Sequence, residues 1–332
     1  MSKEIYLNGN YITTIDSNGT KKYRALRIGE DLISNFPDSI DLKITDKCSI
    51  GCPYCHESSV INGKSFNLKN TIELLSKLPN VGIEIAIGGG DILSIDENDL
   101  REFFLWLDKT NFNVRITLNI KSIENVMRKN KIEIDTTESF FNIFPEKIFP
   151  CRGRGILYSG ISIGISINKF DKKLINYIEN YCEEVYASSS IVYHVIAGII
   201  PLNDLEELLN SGRKVLILGY KSWGRGKTMK PLISLENTSN FIKRYIFKLR
   251  DNLNNKFGVL GFDNLAIEQL DIKNSFSDKE WNRIYMGNEF THSMYVDAVN
   301  EEFAPTSRDP KRDSWSKYPG GIVEYFQKNK VQ

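Results

Sequence analysis

The sequence predicts an α/β fold on three observations. Short apolar runs recur from residue 39 to about residue 220, each is followed by a segment with helical periodicity, and several runs are apolar throughout. Such alternation implies parallel strands with helices outside them. A strand apolar on both sides is one whose two faces are covered.

The first run, Ile40-Asp41-Leu42-Lys43-Ile44, alternates as a strand and leads directly into a group of cysteines. A helix is expected at about 67 to 78, where Leu68, Ile72, Leu75 and Leu78 share a face and Pro79 ends it. Strand Val81 to Ile87 comes next and gives way to Gly88-Gly89-Gly90-Asp91. A helix over 96 to 109 turns Leu100, Phe103, Phe104 and Leu107 to one side. Strand Val114 to Leu118 succeeds it, then a longer insertion. Strand Ile161 to Ile167, a helix near 171 to 182, strand Ile191 to Ile196, a helix near 202 to 210 and strand Val215 to Leu218 complete the rhythm. A helix at about 238 to 253 precedes an apolar run from Val259 to Leu270, a candidate seventh strand. A closed eightfold barrel takes about 250 residues. The stretch from 39 to 220 is shorter and suits a partial (β/α)6, TIM-like barrel.

On this basis residues 1–38 form an N-terminal β-hairpin extension, with Asn8-Gly9 as a turn. Residues 39–270 form the partial barrel. Residues 271–332 form a C-terminal cap, in which Met294 to Val299 reads as a strand and Glu302 to Ala304 as its partner.

The bulk properties narrow the function. Lys plus Arg number 43 and Asp plus Glu 42, a net charge of +1, so no basic excess points to nucleic acid as a partner. The chain starts without an apolar targeting segment, and no run approaches a membrane span. The expected location is therefore the cytoplasm, where thiols stay reduced. There are five cysteines, Cys48, Cys52, Cys55, Cys151 and Cys182. An odd count, with three crowded into one short segment, argues for a metal site and against a disulfide framework.

That segment is Cys48-Ser49-Ile50-Gly51-Cys52-Pro53-Tyr54-Cys55. Three thiolates in one tight loop can bind three corners of a 4Fe–4S cubane and leave the fourth iron open. Gly51 and Pro53 suit a loop folded around an inorganic core. A zinc site would use C-x2-C pairs reaching four ligands. No second pair is present, and His56 is the only neighbouring candidate, so a non-catalytic metal-binding module stands as the alternative.

C-x3-C-x2-C with an aromatic before the last cysteine resembles the signature of the radical S-adenosylmethionine (SAM) superfamily. That resemblance implies a cluster on Cys48, Cys52 and Cys55, with SAM chelating the open iron through its amino and carboxylate groups. It implies that one electron cleaves SAM to methionine and a 5′-deoxyadenosyl radical, which removes hydrogen from a substrate. By the same resemblance, Tyr54 lies beside the cofactor. Gly88, Gly89, Gly90 and Asp91 resemble the G-G-E-P segment that meets the SAM amino group, with Asp91 in place of Glu and Ile92 in place of Pro. Asn119 is similar to part of a T-N-G strand end, Ser166 and Asn168 to an S-x-D segment, and Ile196 to the G-x-I-x-G strand that packs on adenine. Each of the weaker matches, taken alone, is also an ordinary strand end with a polar cap. The family resemblance also implies a reductant such as flavodoxin or ferredoxin as a partner.

Beyond the motif, Cys151 lies between Pro150 and Arg152, where a flanking arginine favours a reactive thiol. It is a candidate catalytic hydrogen-atom donor. Cys182 reads as a small buried apolar residue in a helix. His56-Glu57, His194, Lys221, Trp223 and Arg225 are further polar candidates near the mouth of the barrel. The tail loosely resembles the hairpin that opens an auxiliary-cluster domain in peptide-modifying relatives, without its cysteines. A peptide or protein substrate is therefore ranked slightly above a nucleoside or small metabolite.

Overall fold

The computed structural model describes residues 4–16, 21–129, 161–186, 191–251 and 258–330. The chain opens with three antiparallel strands, β1 (Glu4–Asn8), β2 (Tyr11–Ile15) and β3 (Lys21–Ala25). The expected hairpin is present, turning at Gly9 with φ +61°. β3 adds a third strand to it.

The parallel core comes in the expected order: β4 (Ser39–Thr45), α1 (Leu68–Leu75), β5 (Glu84–Gly89), α2 (Glu97–Leu107), β6 (Asn113–Asn119) and α3 (Ile120–Lys129). Then come β7 (Ile161–Ser166), α4 (Lys172–Tyr186), β8 (Ile191–Ile196), α5 (Leu202–Asn210), β9 (Lys214–Leu218), α6 (Leu235–Asp251) and β10 (Leu260–Phe262). The apolar run after Val259 divides into β10 and α7 (Asn264–Gln269), because Asp263 caps a helix there by accepting the Ala266 N–H at 2.7 Å. α8 (Asp278–Ile284) leads to β11 (Ser293–Asp297), β12 (Glu302–Ala304), β13 (Asp313–Ser314) and α9 (Gly321–Asn329).

These strands form one sheet in the order β10-β9-β8-β7-β6-β5-β4-β11-β12-β13. Every neighbouring pair from β10 across to β11 is parallel, and β12 and β13 are antiparallel. β10 and β13 stand at opposite edges, so the sheet is open and the α/β barrel partial. The tail strand β11 lies beside β4, with Tyr295 opposite Asp41 and Asp297 opposite Lys43.

Strand alternation separates two environments. Val114, Ile116 and Leu118 of β6 and Tyr193 and Val195 of β8 are at most 3% exposed, in one continuous core with Leu75, Phe103 and Phe104 of the covering helices. Burying each such side chain stabilises the fold by about 1.5–3 kcal/mol. The alternate residues Arg115, Thr117, Asn119, His194 and Ile196 are only partly buried, on the other face.

The three-stranded extension closes the end of the sheet at which β4, β5 and β6 begin. Asp38, wholly buried, accepts the Tyr6 hydroxyl at 2.7 Å and Thr13 at 3.2 Å, and it also accepts Tyr11. Lys21 reaches Glu84 at 3.4 Å, and Asn113 donates to Glu4 at 2.9 Å. The opposite end, where the strands finish, is left for the cysteine loop. No helix among the described residues is long and apolar enough to cross a membrane.

Candidate functional site

The site grows from the end of β4. Beyond Thr45 the chain closes a neck: the Asp46 N–H donates to Lys64 O at 2.7 Å, Cys48 N–H to Val60 O at 2.9 Å, and Val60 N–H to Asp46 O at 3.0 Å. The cysteines occupy the bight beyond that neck. Gly51 takes φ +66°, a left-handed turn that favours glycine, between Cys48 and Cys52. All three cysteines are free thiols and partly exposed.

Ends of successive strands surround this loop. After β5 the glycine segment is tied to it: Gly90 N–H donates to Thr45 O at 2.7 Å and Asp91 N–H to Lys47 O at 2.6 Å. A Cβ on Gly89, where φ is +120°, would lie 2.5 Å from Thr45 O, and one on Gly90 would lie 2.2 Å from Lys47 O. These two glycines therefore allow a close backbone approach to the cysteine loop. At Gly88 a Cβ would meet nothing within 4 Å. From β6, Asn119 sets its amide nitrogen 4.0 Å from the Cys52 sulfur. Beyond β7, Asn168 donates to the Tyr54 hydroxyl at 3.2 Å. Burial pushes the Cys52 thiol pKa up, with Cys55 and Cys48 adding to the effect, while a hydrogen bond with Tyr54 opposes it.

One pocket of about 140 Å³ brings together Cys48, Cys52, Cys55 and Tyr54, and it also includes Gly89, Gly90, Asn119, Ser166, Asn168 and Ile196. Gly88 and Asp91 lie off its wall. The Asp91 side chain instead accepts the Leu93 N–H at 3.2 Å and starts a short 3-10 turn. Cys151 lies outside the described residues, as does the side chain of Cys182. Ile50, Ser59 and Ile199 line the pocket and carry no signal in the sequence. They are ordinary residue types at positions with no motif. His56, Glu57, His194 and Arg225 line it as well, which gathers most of the scattered polar candidates.

A buried charge cluster backs the loop. Lys43, on β4, places its ammonium 3.1 Å from Glu57, 2.7 Å from Asp46 and 3.0 Å from Asp297 of β11. Tyr295 donates to Glu57 at 3.2 Å. Burial would raise the Glu57 carboxyl, but the hydrogen bond from His56 and the Lys43 charge outweigh it and hold the pKa at about 2. His194 fits beneath the strand ends because Gly164 faces it: a Cβ there would lie 2.5 Å from the ring. Burial, then the Arg115 charge, lowers the His194 pKa to about 4, so the ring is neutral near pH 7.

This donor set suits a polynuclear iron core. Three unpaired thiols share one wall, and Gly51 leaves room at the loop tip. Among the described residues no three His, Cys, Asp or Glu side chains converge on a single ion-sized point. A cubane asks for thiolates on separate irons, which a loop carrying three cysteines can supply.

No family model and no curated protein matches the chain. Solved structures do. SuiB of Streptococcus suis aligns with a TM-score of 0.60 at 12% identity over 98% of this chain and 86% of that one. SuiB bound to S-adenosylmethionine aligns at 0.58 and 13% identity over 90% of this chain and 67% of that one. anSMEcpe with bound AdoMet aligns at 0.55 and 12% identity over 88% and 81%. These are radical SAM enzymes, and the likeness is one of fold. The chain shares the fold of these structures, with the cysteine motif directly after β4.

Proposed function

We propose that the chain is a radical SAM enzyme that holds one 4Fe–4S cluster on Cys48, Cys52 and Cys55. The observation that carries this reading is the pocket in which those three thiols meet residues from the ends of β5, β6 and β8 and from just beyond β7. When bound, the cluster supplies the electron that cleaves SAM to methionine and a 5′-deoxyadenosyl radical, which takes hydrogen from the substrate.

The chain's own residues bind, orient and shield. Gly89 and Gly90, in the pocket wall, offer backbone carbonyls toward the SAM amino group; Gly88 and Asp91 flank them, Asp91 being engaged through its carboxylate with Leu93 and through its carbonyl with Ser94. Ser166 and Asn168 present polar groups to the ribose or the carboxylate of SAM. Ile196 presents an apolar surface to adenine. Asn119 is a hydrogen-bond donor beside Cys52, and such bonds to cluster sulfurs tune potential. The open concave face receives the substrate. Cys151 is assigned as a hydrogen-atom donor on its arginine-flanked sequence alone.

A peptide or protein substrate is favoured. SuiB, which shares the fold, has been seen bound to its precursor peptide SuiA, at a TM-score of 0.58 over 89% of this chain and 65% of that one. The chain spans about two thirds of SuiB in that structure. A reducing cytoplasm, with a flavodoxin- or ferredoxin-type reductant, suits three cysteines that stay unpaired.

Anaerobic reconstitution tests the reading. About four irons per chain, and an EPR signal that changes when SAM is added, are expected. One tightly bound zinc in place of iron would overturn it and leave a metal-binding module.

A further inference from the structure

Asp41 stands in the middle of β4, between Ile40 and Leu42, which are buried in the core. Its own side chain points the other way and is exposed, on the concave face. Parallel strands flank it on both sides, with Ala86 of β5 and Tyr295 of β11 as its neighbours, and Arg115 of β6 follows Ala86 in the same row. Asn119, four residues beyond Arg115 on the same face of β6, lines the cysteine pocket. The row of Asp41 therefore lies about 13 Å down the strands from that pocket. The three-stranded extension closes the end below it, where Lys21 reaches Glu84.

Among the described residues the Asp41 carboxylate accepts no hydrogen bond and pairs with no cation. The charged groups that act on it most are Lys221, Glu84, Asp263 and Glu289, and all four are engaged elsewhere. Glu84 holds Lys21 and Arg115, Asp263 accepts the Gly219 and Ala266 N–H groups, Glu289 holds Arg308, and Lys221 donates to Ser307 at 2.7 Å. Three of the four are acids, so their field opposes the charge of Asp41. A carboxylate set on a central strand among like charges, with no internal bond, does nothing for the fold. Such a conflict is expected where a ligand resolves it. A bare metal ion does not suit it. Calcium and magnesium ask for several oxygen ligands, and among the described residues no three acidic, histidine or cysteine side chains converge. An organic cation does suit it. One carboxylate answers its charge, and a methylene stem can run up the concave face toward the cysteine pocket.

We propose that Asp41 anchors a cationic side chain of the substrate, an amine or guanidinium on a long stem, in the concave face below the cysteine pocket. That the cation belongs to a peptide substrate rests on the function proposed above; the anchor itself does not.

The test uses the full chain as purified and, in parallel, the anaerobically reconstituted chain loaded with SAM. N-acetyl-lysinamide, N-acetyl-argininamide and the neutral N-acetyl-norleucinamide are titrated by saturation-transfer NMR. Wild type is expected to bind a cationic probe about tenfold tighter than the neutral one, and the same titration ranks lysine against arginine. Asp41→Asn keeps the shape of the side chain and has no internal bond to lose. It is expected to erase the preference at an unchanged melting temperature, and Asp41→Ser repeats the test if Asp41→Asn folds poorly. Glu268→Gln removes a carboxylate that is 73% exposed and is expected to keep the preference, which separates the anchor from bulk charge. No binding by wild type, equal binding of all three probes, or a preference that survives loss of the Asp41 carboxylate overturns the anchor, as does a preference lost equally in Glu268→Gln. The cluster-free arm reads the anchor even where no cluster assembles, so its failure and a failure of the radical SAM reading are told apart.

Discussion

Lys43 and Glu57 lie 3.1 Å apart and join the first core strand to the far side of the cysteine loop. Their side chains are 7% and 13% exposed, so solvent screens the pair little. Removing one partner strands a buried charge. Lys43→Met is expected to lose about 3 kcal/mol in denaturant unfolding and to retain less iron after reconstitution.

The same pair sets an acid limit. Glu57 titrates at about 2 in the folded chain, below the 4.5 of an unperturbed glutamate. A depressed carboxylate contributes stability that is complete above the unfolded pKa and lost as pH falls toward the folded one. Thermal unfolding should show wild type losing its advantage over Glu57→Gln between pH 4.5 and 2. A constant difference across that window would contradict the assignment.

The three glycines at the end of β5 should separate. Gly89→Ala and Gly90→Ala force contacts of 2.5 and 2.2 Å with backbone oxygens of the cysteine loop. Both are expected to unfold at lower temperature and to bind little iron. Gly88→Ala meets nothing, so it should keep its melting temperature and iron, and any lost SAM binding would report on the ligand alone.

Much of this is legible in the sequence, for physical reasons. β4 to β9 declare themselves because covered strands must be apolar and because Gly, Pro and Asn punctuate them. β3, Lys-Lys-Tyr-Arg-Ala, does not, since an exposed strand can carry charges on most positions. α3 hides at the start of what reads as an insertion, although Ile120, Ile123 and Met127 bury one face of it. The pairing of β11 with β4 is a contact between distant segments that no local pattern encodes. The cysteine motif foretells the pocket, but the capping role of the Asp91 side chain and the unpaired carboxylate of Asp41 emerge only when strands and loops are packed. Gly89 and Gly90, singled out for a ligand, also serve the fold itself.

Radical chemistry at the cysteine loop is read out by its product. The chain, reconstituted anaerobically with iron and sulfide and reduced with dithionite, is given SAM, and 5′-deoxyadenosine is quantified by mass spectrometry beside Cys52→Ala. Wild type is expected to release 5′-deoxyadenosine and the variant none. Equal product from both, or none from a wild type that holds zinc in place of iron, would refute a SAM-cleaving cluster on Cys48, Cys52 and Cys55.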